Sequence, residues 1–338
     1  MNDKYIIGVE AGGTKVAYGL FDGGGALAAR AQHATDAAAD GLAFSDALIR
    51  NIRSLMDAGG VTFDMLEGIG ICMPSFILFD EGRILMTSAI PNIKDFPMRD
   101  YLAERLPARI ALDNDANAAA VAEHRRGAGR GARHMVYMVV GTGLGCGIII
   151  DGRLFRGSYG WAGECGHMLA TPDAGIMCGC ENRGCYMSYV AGKSLPERIK
   201  SKLAGDGAGG FTSGVSGGMA DGALSESSAA VGNATTDESK SADGRALLNA
   251  YNGGDARAVG VINEMAHYLA VCVYNVYQMM NINTYVFGGG LVNLGEALFG
   301  RMRAEFARFD HIRMPVYFKM AELTEDAGII GAAEFVRE

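Results

Sequence analysis

The chain has 338 residues, of which 49% are hydrophobic, so it is long enough to bury a large core and to form two domains of ordinary size. Its net charge is −8 with a pI near 5.3, and it has no run of Lys and Arg long enough to neutralise a row of phosphates, which argues against a nucleic-acid partner. The first ten residues lead directly into a strand-like pattern, and no later stretch holds about 18 uninterrupted apolar residues, so we expect a soluble, cytoplasmic protein without a membrane partner.

Two hairpins interrupted by glycine are the first organising feature of the chain. Residues 5–22 predict a strand, a glycine turn and a second strand, and residues 135–151 repeat that layout about 130 residues later. Either segment alone is equally well explained as a simple hairpin with flexible glycines. The pair together favours a duplicated domain plan.

Helical and strand-like patterns alternate along the rest of the chain, which predicts an α/β fold. Apolar residues at helical spacing predict a helix that ends at Gly59-Gly60, and an alanine-rich segment predicts another helix over residues 116–126. That second helix has Asn114 and Asp115 at its N-terminus. The other predicted elements are strands at 68–74, 83–88, 108–112 and 284–287, a helix opened by the capping pair Ser194 and Glu197, and a helix from about 256 to 280.

The composition changes between about 204 and 244 to Gly, Ser, Ala, Asp and Thr. Few large apolar residues are present there to offset the entropy of ordering, so this insert is predicted to be a flexible loop. A tolerated surface insertion is favoured over a lid on the active site, because most long loops are simple insertions.

Three glycine clusters follow predicted strands, where backbone N–H groups can approach a phosphate closely. The first lacks the Walker pattern, and the second is not a dinucleotide fingerprint, because Cys146 occupies the third glycine position and a strand follows. Each cluster alone is weak evidence, but together they predict a site that holds the phosphates and nucleoside of ATP. The residues predicted to bind nucleotide are Gly12, Gly13, Thr14, Lys15, Gly141, Thr142, Gly143, Gly289 and Gly290.

Asp115 stands at a strand-to-helix junction, where a carboxylate can accept the proton of an attacking hydroxyl. Asp and Asn are also the commonest helix N-caps, so local sequence alone favours capping as its role. Asp113 and Asn114 can cap equally well, and the sequence leaves this choice open.

The chain has seven cysteines, an odd number, which favours a metal cluster plus buried free thiols in a reducing compartment over a disulfide framework. His167 and the thiolates of Cys178, Cys180 and Cys185 supply four ligands for a closed tetrahedral zinc site. Because no coordination position is left for water, the zinc is expected to be structural and to hold the loop that carries Glu164.

These motifs together resemble the ROK family of sugar kinases, within the actin-like and hexokinase-like ATPase superfamily. The resemblance spans nearly the whole chain, and the zinc-loop signatures are its most specific part. It rests on EAGGTK at 10–15, IPN at 90–92, DNDANAAA at 113–120, GTGLGCG at 141–147, GSYGWAGECGHM at 157–168, CGCENRGC at 178–185 and FGGGLV at 287–292.

The resemblance implies a two-domain actin-like (ribonuclease H-like) ATPase fold of the α/β class, with a nucleotide and sugar cleft between the domains. Residues 1–120 plus 325–338 are expected to form the smaller domain, and residues 121–324 the larger one. Asp115 is implied to be the catalytic base, and one ring nitrogen of His167 is implied to bind zinc while the other can face the sugar. By the same resemblance the sugar hydroxyls are bound by Asn92, Asn114, Glu164 and His167, and zinc by His167, Cys178, Cys180 and Cys185.

Three positions depart from the family pattern. Glu10 stands where most members have Asp, and its longer carboxylate can still approach Mg2+ or the water shell of the ion. Glu181 replaces a common Gly in the zinc loop without touching a ligand. Met187 occupies the position of a sugar-contacting Glu, so one charged hydrogen-bond acceptor is missing and the sugar assignment is open.

These features predict an ATP-dependent and Mg2+-dependent kinase that phosphorylates a hexose, with the 6-OH as the expected acceptor, as in a glucokinase. The expected partners are a small sugar and ATP, and a homodimer is the family habit. Fructose, mannose, allose and N-acetylhexosamines are alternative substrates. A non-catalytic sugar-sensing protein is a second possibility, and a repressor a third, although a repressor would carry an N-terminal DNA-binding segment before the phosphate loop, which here begins at Glu10.

Overall fold

The structure is a computed structural model that describes residues 4–173, 175–192, 195, 237–323 and 325–338. In these residues the strands form two five-stranded sheets and one three-stranded sheet. The strands are β1 (Tyr5–Ala11), β2 (Lys15–Phe21), β3 (Leu27–Ala34), β4 (Leu66–Met73), β5 (Ser75–Leu78), β6 (Arg83–Thr87), β7 (Lys94–Phe96), β8 (Ile110–Asn114), β9 (Met135–Val140), β10 (Leu144–Ile150), β11 (Arg153–Leu154), β12 (Thr284–Gly288) and β13 (Tyr317–Met320). The helices are α1 (Gly41–Gly59), α2 (Met98–Ala103), α3 (Asp115–Arg126), α4 (Tyr186–Val190), α5 (Asp237–Asn252), α6 (Ala256–Met280), α7 (Gly295–Phe309) and α8 (Ala327–Phe335). The predicted α/β class is therefore confirmed.

The two large sheets share one plan, in which an antiparallel hairpin continues into parallel strands. In the first sheet, with the order β3-β2-β1-β4-β8, β1 is antiparallel to β2 and parallel to β4. In the second sheet, with the order β11-β10-β9-β12-β13, β9 is antiparallel to β10 and parallel to β12. The two predicted hairpins are both present and occupy equivalent positions in the two sheets.

The carboxyl ends of the parallel strands bring sequence-distant residues to the same sheet edge. In the first sheet Glu10 pairs with Cys72, and the next residue of β4, Met73, pairs with Asn114 of β8. This register brings the end of β1 to the same sheet edge as the start of α3, because β4 pairs with both β1 and β8 and all three strands run in the same direction. In the second sheet Gly288 pairs with Val139, so the turns after β9 and β12 meet at one edge.

The C-terminal helix α8 packs directly on the first sheet. A Cβ atom at Gly70 of β4 would lie 1.7 Å from the carbonyl oxygen of Ala332, so only glycine permits the helix to approach this closely. Helix α8 also packs against α3, and α3 in turn packs against β9 and β10 of the second sheet. Helix α3 therefore connects the two sheets, while the exact domain boundaries stay a prediction.

The buried carboxylate of Glu123 on α3 fastens the segment that leads into α8. Its oxygens accept backbone N–H groups from Ala128 at 2.7 Å, Glu322 at 3.2 Å and Leu323 at 2.6 Å. The negative charge is therefore fully hydrogen-bonded inside the protein, which is the condition for burying it.

The structure corrects one boundary of the predicted flexible insert 204–244. Residues 237–244 belong to α5, which continues to Asn252 and buries Leu247 in the core. The first turns of this helix are polar, so the sequence lacked the apolar periodicity that marks a packed helix. Residues 204–236, and the predicted cap formed by Ser194 and Glu197, lie outside the described residues. The strand predicted at 108–112 begins two residues later, at Ile110.

Within the described residues, no helix is both long enough and apolar enough to span a bilayer.

Candidate active site

The start of α3 shows which residue caps the helix. The side-chain oxygen of Asn114 accepts the backbone N–H of Ala116 at 2.8 Å, and Asn114 has the extended backbone of an N-cap residue. Asp115 is the first helical residue, and its Oδ1 also lies within hydrogen-bond distance of the Ala116 N–H, at 3.0 Å. The capping role that the sequence left open therefore falls to Asn114, and Asp115 is not needed for it.

Asp115, at the start of α3, interacts electrostatically with two other carboxylates. Burial raises the pKa of Asp115 at the start of α3. The pKa of Glu10, at the end of β1, is raised first by burial and then by the negative charge of Asp115. Burial and the same charge of Asp115 raise the pKa of Glu164. The fold therefore brings together three acidic groups from distant parts of the sequence, and a bound cation would relieve their repulsion.

Two of the three glycine turns are in contact with each other. A Cβ atom at Gly141 would lie 3.6 Å from the backbone nitrogen of Gly290, so the turns after β9 and β12 are in contact. Gly289 has a φ of 89°, and a Cβ atom there would lie 2.6 Å from a backbone oxygen, so this turn requires glycine. The strand that follows the first of these turns packs against α3, because a Cβ atom at Gly145 would lie 3.5 Å from the Cβ of Ala116.

The tip of the glycine turn after β9 is open to solvent. The Gly143 carbonyl accepts the N–H of Gly141 at 3.0 Å, which closes the turn, and Thr142 at its tip is exposed.

The first glycine turn joins β1 to β2. The Gly12 N–H donates to the Lys15 carbonyl at 2.9 Å, and the hydroxyl of Thr35 donates to the Gly12 carbonyl at 2.7 Å. Gly13, Thr14 and Lys15 are exposed. This turn therefore presents backbone groups and an ammonium to solvent, as phosphate binding requires.

The two asparagines predicted to bind sugar make backbone contacts. The amide nitrogen of Asn92, an exposed residue, donates to the Ala38 carbonyl at 2.8 Å. The amide nitrogen of Asn114 lies 3.3 Å from the Ser75 carbonyl. The side chain of Asn92 is therefore tied to the segment between β3 and α1, and that of Asn114 to the start of β5.

The four predicted metal ligands lie together. One ligand atom from each of His167, Cys178, Cys180 and Cys185 lies within 4.8 Å of all the others. The Nδ1 atom of His167 is 3.8 Å from Cys178 Sγ, and Cys180 Sγ is 3.6 Å from Cys185 Sγ. This cluster can hold a metal ion, and the Nε2 atom of His167 is then left for another partner.

The structure corrects the expectation that all cysteines outside this cluster are free thiols. Cys146 on β10 and Cys165, next to Glu164, form a disulfide, whereas Cys72 and Cys272 are buried free thiols. The Cys146 N–H also donates to the Gly163 carbonyl at 3.0 Å. A pair separated by 19 residues meets in this way because the segment that carries Glu164 lies directly on β10, which cysteine spacing alone does not reveal.

Met187, on α4, is half-buried and packs against the core of the second sheet. Its methyl carbon would lie 3.1 Å from a Cβ atom at Gly166 and 3.7 Å from one at Gly143. The side chain therefore lies between the glycine turn after β9 and the segment of Glu164 and His167.

Sequence reasoning did not identify Arg156, whose guanidinium reaches the buried carboxylate of Asp113 at 2.6 Å. It also missed Asn117, whose amide donates to the same carboxylate at 2.8 Å. Asp113 lies at the end of a strand and Asn117 lies in the first turn of the following helix, so their contact depends on the geometry of the junction, and the 43-residue separation of Arg156 from Asp113 left no local signal.

The protein combines a mixed α/β fold, two sheets built on one plan and glycine turns at the ends of strands in both sheets. The sequence model of the ROK family matches residues 6–338, and the chain belongs to that family. A glucokinase from Halalkalibacterium halodurans is 28% identical over 348 residues, covering 100% of this chain and 96% of the relative. A xylose repressor from Bacillus subtilis is 34% identical over 137 residues, which cover 40% of this chain and 35% of the repressor.

Solved structures show the same fold. A ROK hexokinase from Thermus thermophilus has a TM-score of 0.78 and 28% identity, with 98% of this chain and 97% of that chain covered. A ROK family glucokinase from Streptomyces griseus, in complex with glucose and AMPPNP, has a TM-score of 0.72 and 26% identity, with 98% and 99% covered. The predicted two-domain actin-like fold and the family assignment are therefore confirmed.

Proposed function

We propose that this protein is an ATP-dependent sugar kinase that transfers the γ-phosphoryl group of ATP to a hexose hydroxyl, with the 6-OH as the expected acceptor. The observation that carries the proposal is the position of Asp115 at the start of α3, beside two other carboxylates and the glycine turns after β9 and β12. The full-length similarity to glucokinases supports this function over the partial similarity to repressors.

Asp115 has the properties expected of the general base. Its pKa is raised by burial, which makes the carboxylate a stronger proton acceptor than an exposed Asp. In the reaction the sugar hydroxyl oxygen forms a bond to the γ-phosphorus, the bond from that phosphorus to ADP breaks, and the hydroxyl proton moves to Asp115. Since Asn114 caps the helix, Asp115 is available for this role.

The acidic cluster suits Mg2+, which prefers oxygen ligands. Glu10 would approach the ion or its water shell, and its longer side chain supplies the same carboxylate chemistry as Asp. When bound there, Mg2+ would supply positive charge to neutralise the ATP phosphates. The turns at Gly12-Gly13, Gly141 and Gly289 would hold the phosphates and nucleoside of ATP, because glycine lets the backbone approach a phosphate closely.

The cluster of His167, Cys178, Cys180 and Cys185 fits a structural zinc ion. Tetrahedral Zn2+ with bonds of about 2.3 Å to sulfur separates two thiolates by about 3.8 Å. The Sγ atoms of Cys180 and Cys185 are 3.6 Å apart, which is close to that value. Zinc at this site would fix the segment that carries Glu164 and turn Nε2 of His167 toward the sugar.

Met187 is the residue expected to determine which sugar the site accepts. Its methyl group lies between the second glycine turn and the segment of Glu164 and His167, where most family kinases carry a sugar-contacting Glu. The remaining sugar ligands would be Asn92, Asn114, Glu164 and Nε2 of His167. A pocket with one charged acceptor fewer is expected to bind glucose less tightly than the family pattern implies.

A non-catalytic sugar sensor is the alternative, and Met187 is the observation that favours it. ADP release measured with ATP, Mg2+ and a panel of glucose, mannose, fructose, allose and N-acetylhexosamines separates the two functions. A kinase releases ADP with at least one sugar, well above the rate with ATP alone. Sugar binding by calorimetry without ADP release would establish the sensor instead. We also expect a cytoplasmic homodimer without nucleic-acid or membrane partners, which light scattering and fractionation test.

A further inference from the structure

A single arginine connects the segment that carries the proposed sugar ligands with the helix that carries the proposed base. Arg156 lies between β11 and Glu164, and its side chain is only 18% exposed. Its Nε donates to Asp113 Oδ2 at 2.6 Å, and its Nη2 lies 2.6 Å from an oxygen of Glu338. The guanidinium also lies over the ring of Phe79, at 4.0 Å from the ring centre.

Asp113 is the immediate neighbour of the junction between β8 and α3. Its Oδ1 accepts the amide of Asn117 at 2.8 Å and the backbone N–H of Asn114 at 2.7 Å, while Oδ2 accepts Arg156. The carboxylate is therefore hydrogen-bonded on both oxygens and nearly fully buried. Because a buried carboxylate is costly without a cation, Arg156 determines whether this arrangement persists.

The backbone of Arg156 belongs to the other half of the site. Its carbonyl accepts the N–H of Ala162 at 3.1 Å, which closes a turn just before Gly163 and Glu164. The indole N–H of Trp161 in the same turn donates to the Ile77 carbonyl of β5, at 2.9 Å. The position of Glu164 is thus connected to β8 and α3 through Arg156 and to β5 through Trp161.

We infer that Arg156 is a positioning residue for the proposed phosphoryl transfer: it orients Asp115 through Asp113 and keeps the Glu164 segment at a set distance from it. The inference rests on the proposed function, because it assumes that Asp115 is the base. A guanidinium suits this role, since its planar donors reach Asp113 and Glu338 together while its face covers Phe79. Misplacement of reacting groups by about 1 Å can lower a rate about 100-fold.

The test is a double-mutant cycle in kcat between Arg156→Gln and Asp115→Asn, measured with a radiolabelled phosphate assay sensitive enough for weak variants. Arg156→Gln is expected to lower kcat by about 10-fold to 100-fold. In the Asp115→Asn background the same change is expected to lower kcat less than about threefold, because an absent base cannot be misplaced.

The matched control is Arg133→Gln, which removes an exposed arginine paired with Asp151 and is expected to leave kcat within about twofold. Should Arg156→Gln fail to fold, Asp113→Asn combined with Arg156→Gln leaves no unpaired charge in the core and enters the same comparison. If Arg156→Gln lowers kcat by the same factor in the wild-type and in the Asp115→Asn protein, the positioning role is overturned. An Asp115→Asn variant with normal kcat overturns the role of Asp115 as the base and the positioning role with it. Wild-type protein that phosphorylates no sugar overturns the proposed function instead, so the two failures are distinguishable.

Discussion

Removal of zinc is the perturbation with the best-defined expected size. A ligand that binds only the folded protein stabilises it by about 4 kcal/mol when its concentration is about a thousand times its dissociation constant. The entropy of unfolding is about 2.1 cal/mol/K per residue, or about 0.7 kcal/mol/K for this chain of 338 residues. Chelation is therefore expected to lower Tm by about 6 °C if the whole chain unfolds in one step.

The assay combines metal analysis with thermal unfolding in the presence and absence of a chelator. Protein purified without chelator should hold about one zinc ion per chain. Cys180→Ser should abolish both the bound zinc and the response of Tm to chelator, and its direct packing effect is small because Cys180 is exposed. The control is Cys72→Ala, which changes a buried thiol outside the cluster and should keep both properties. Wild-type protein that is free of zinc, fully active and insensitive to chelator would refute the zinc site.

Three further predictions concern the sugar pocket, the acidic cluster and the cysteines. Met187→Glu is expected to raise kcat/KM for glucose or an N-acetylhexosamine about tenfold, because the new carboxylate can accept a hydrogen bond from a sugar hydroxyl. A lower Tm without a gain on any sugar in the panel would instead identify Met187 as a packing residue. Because burial raises the pKa of Glu10 above its ordinary value of 4.5, the folded state holds that proton more tightly, so ionisation costs stability as pH rises. Glu10→Gln is then expected to be more stable than wild type by about 1 kcal/mol at pH 8, with a smaller advantage at pH 5, and equal unfolding curves at both pH values would contradict this. Thiol titration of unfolded, chelated protein should detect five free thiols without reductant and seven after reduction, and seven in both cases would exclude the disulfide between Cys146 and Cys165.

Local patterns in the sequence were sufficient to predict much of this fold. The hairpins at 5–22 and 135–151 are marked by β-forming residues around glycine turns, and α3 is marked by its alanines and by Asn114. These signals need no information about distant residues. The sequence did not predict the start of helix α5, because the first turns of this helix are polar. The helix is held by later contacts, such as the burial of Leu247 in the core.

The sequence identified most residues of the candidate site, but it did not show which of them interact with one another. The zinc ligands lie close together in sequence, and their chemistry identifies them. The electrostatic contact of Glu10 with Asp115 depends on the register of β1, β4 and β8, which the sequence does not specify. The same holds for the contact of Arg156 with Asp113, because residues 43 apart in sequence meet only after both sheets are assembled.

Chemical identification of the product tests the central claim most directly. Wild-type protein, incubated with Mg2+, a hexose and ATP labelled at the γ-phosphate, should yield a labelled hexose phosphate, with the phosphate on the 6-oxygen by NMR. Asp115→Asn should make the same product with kcat lower by about 100-fold to 10,000-fold, while calorimetry shows sugar binding largely retained. Failure to label any hexose, or near-wild-type turnover by Asp115→Asn, would contradict the account.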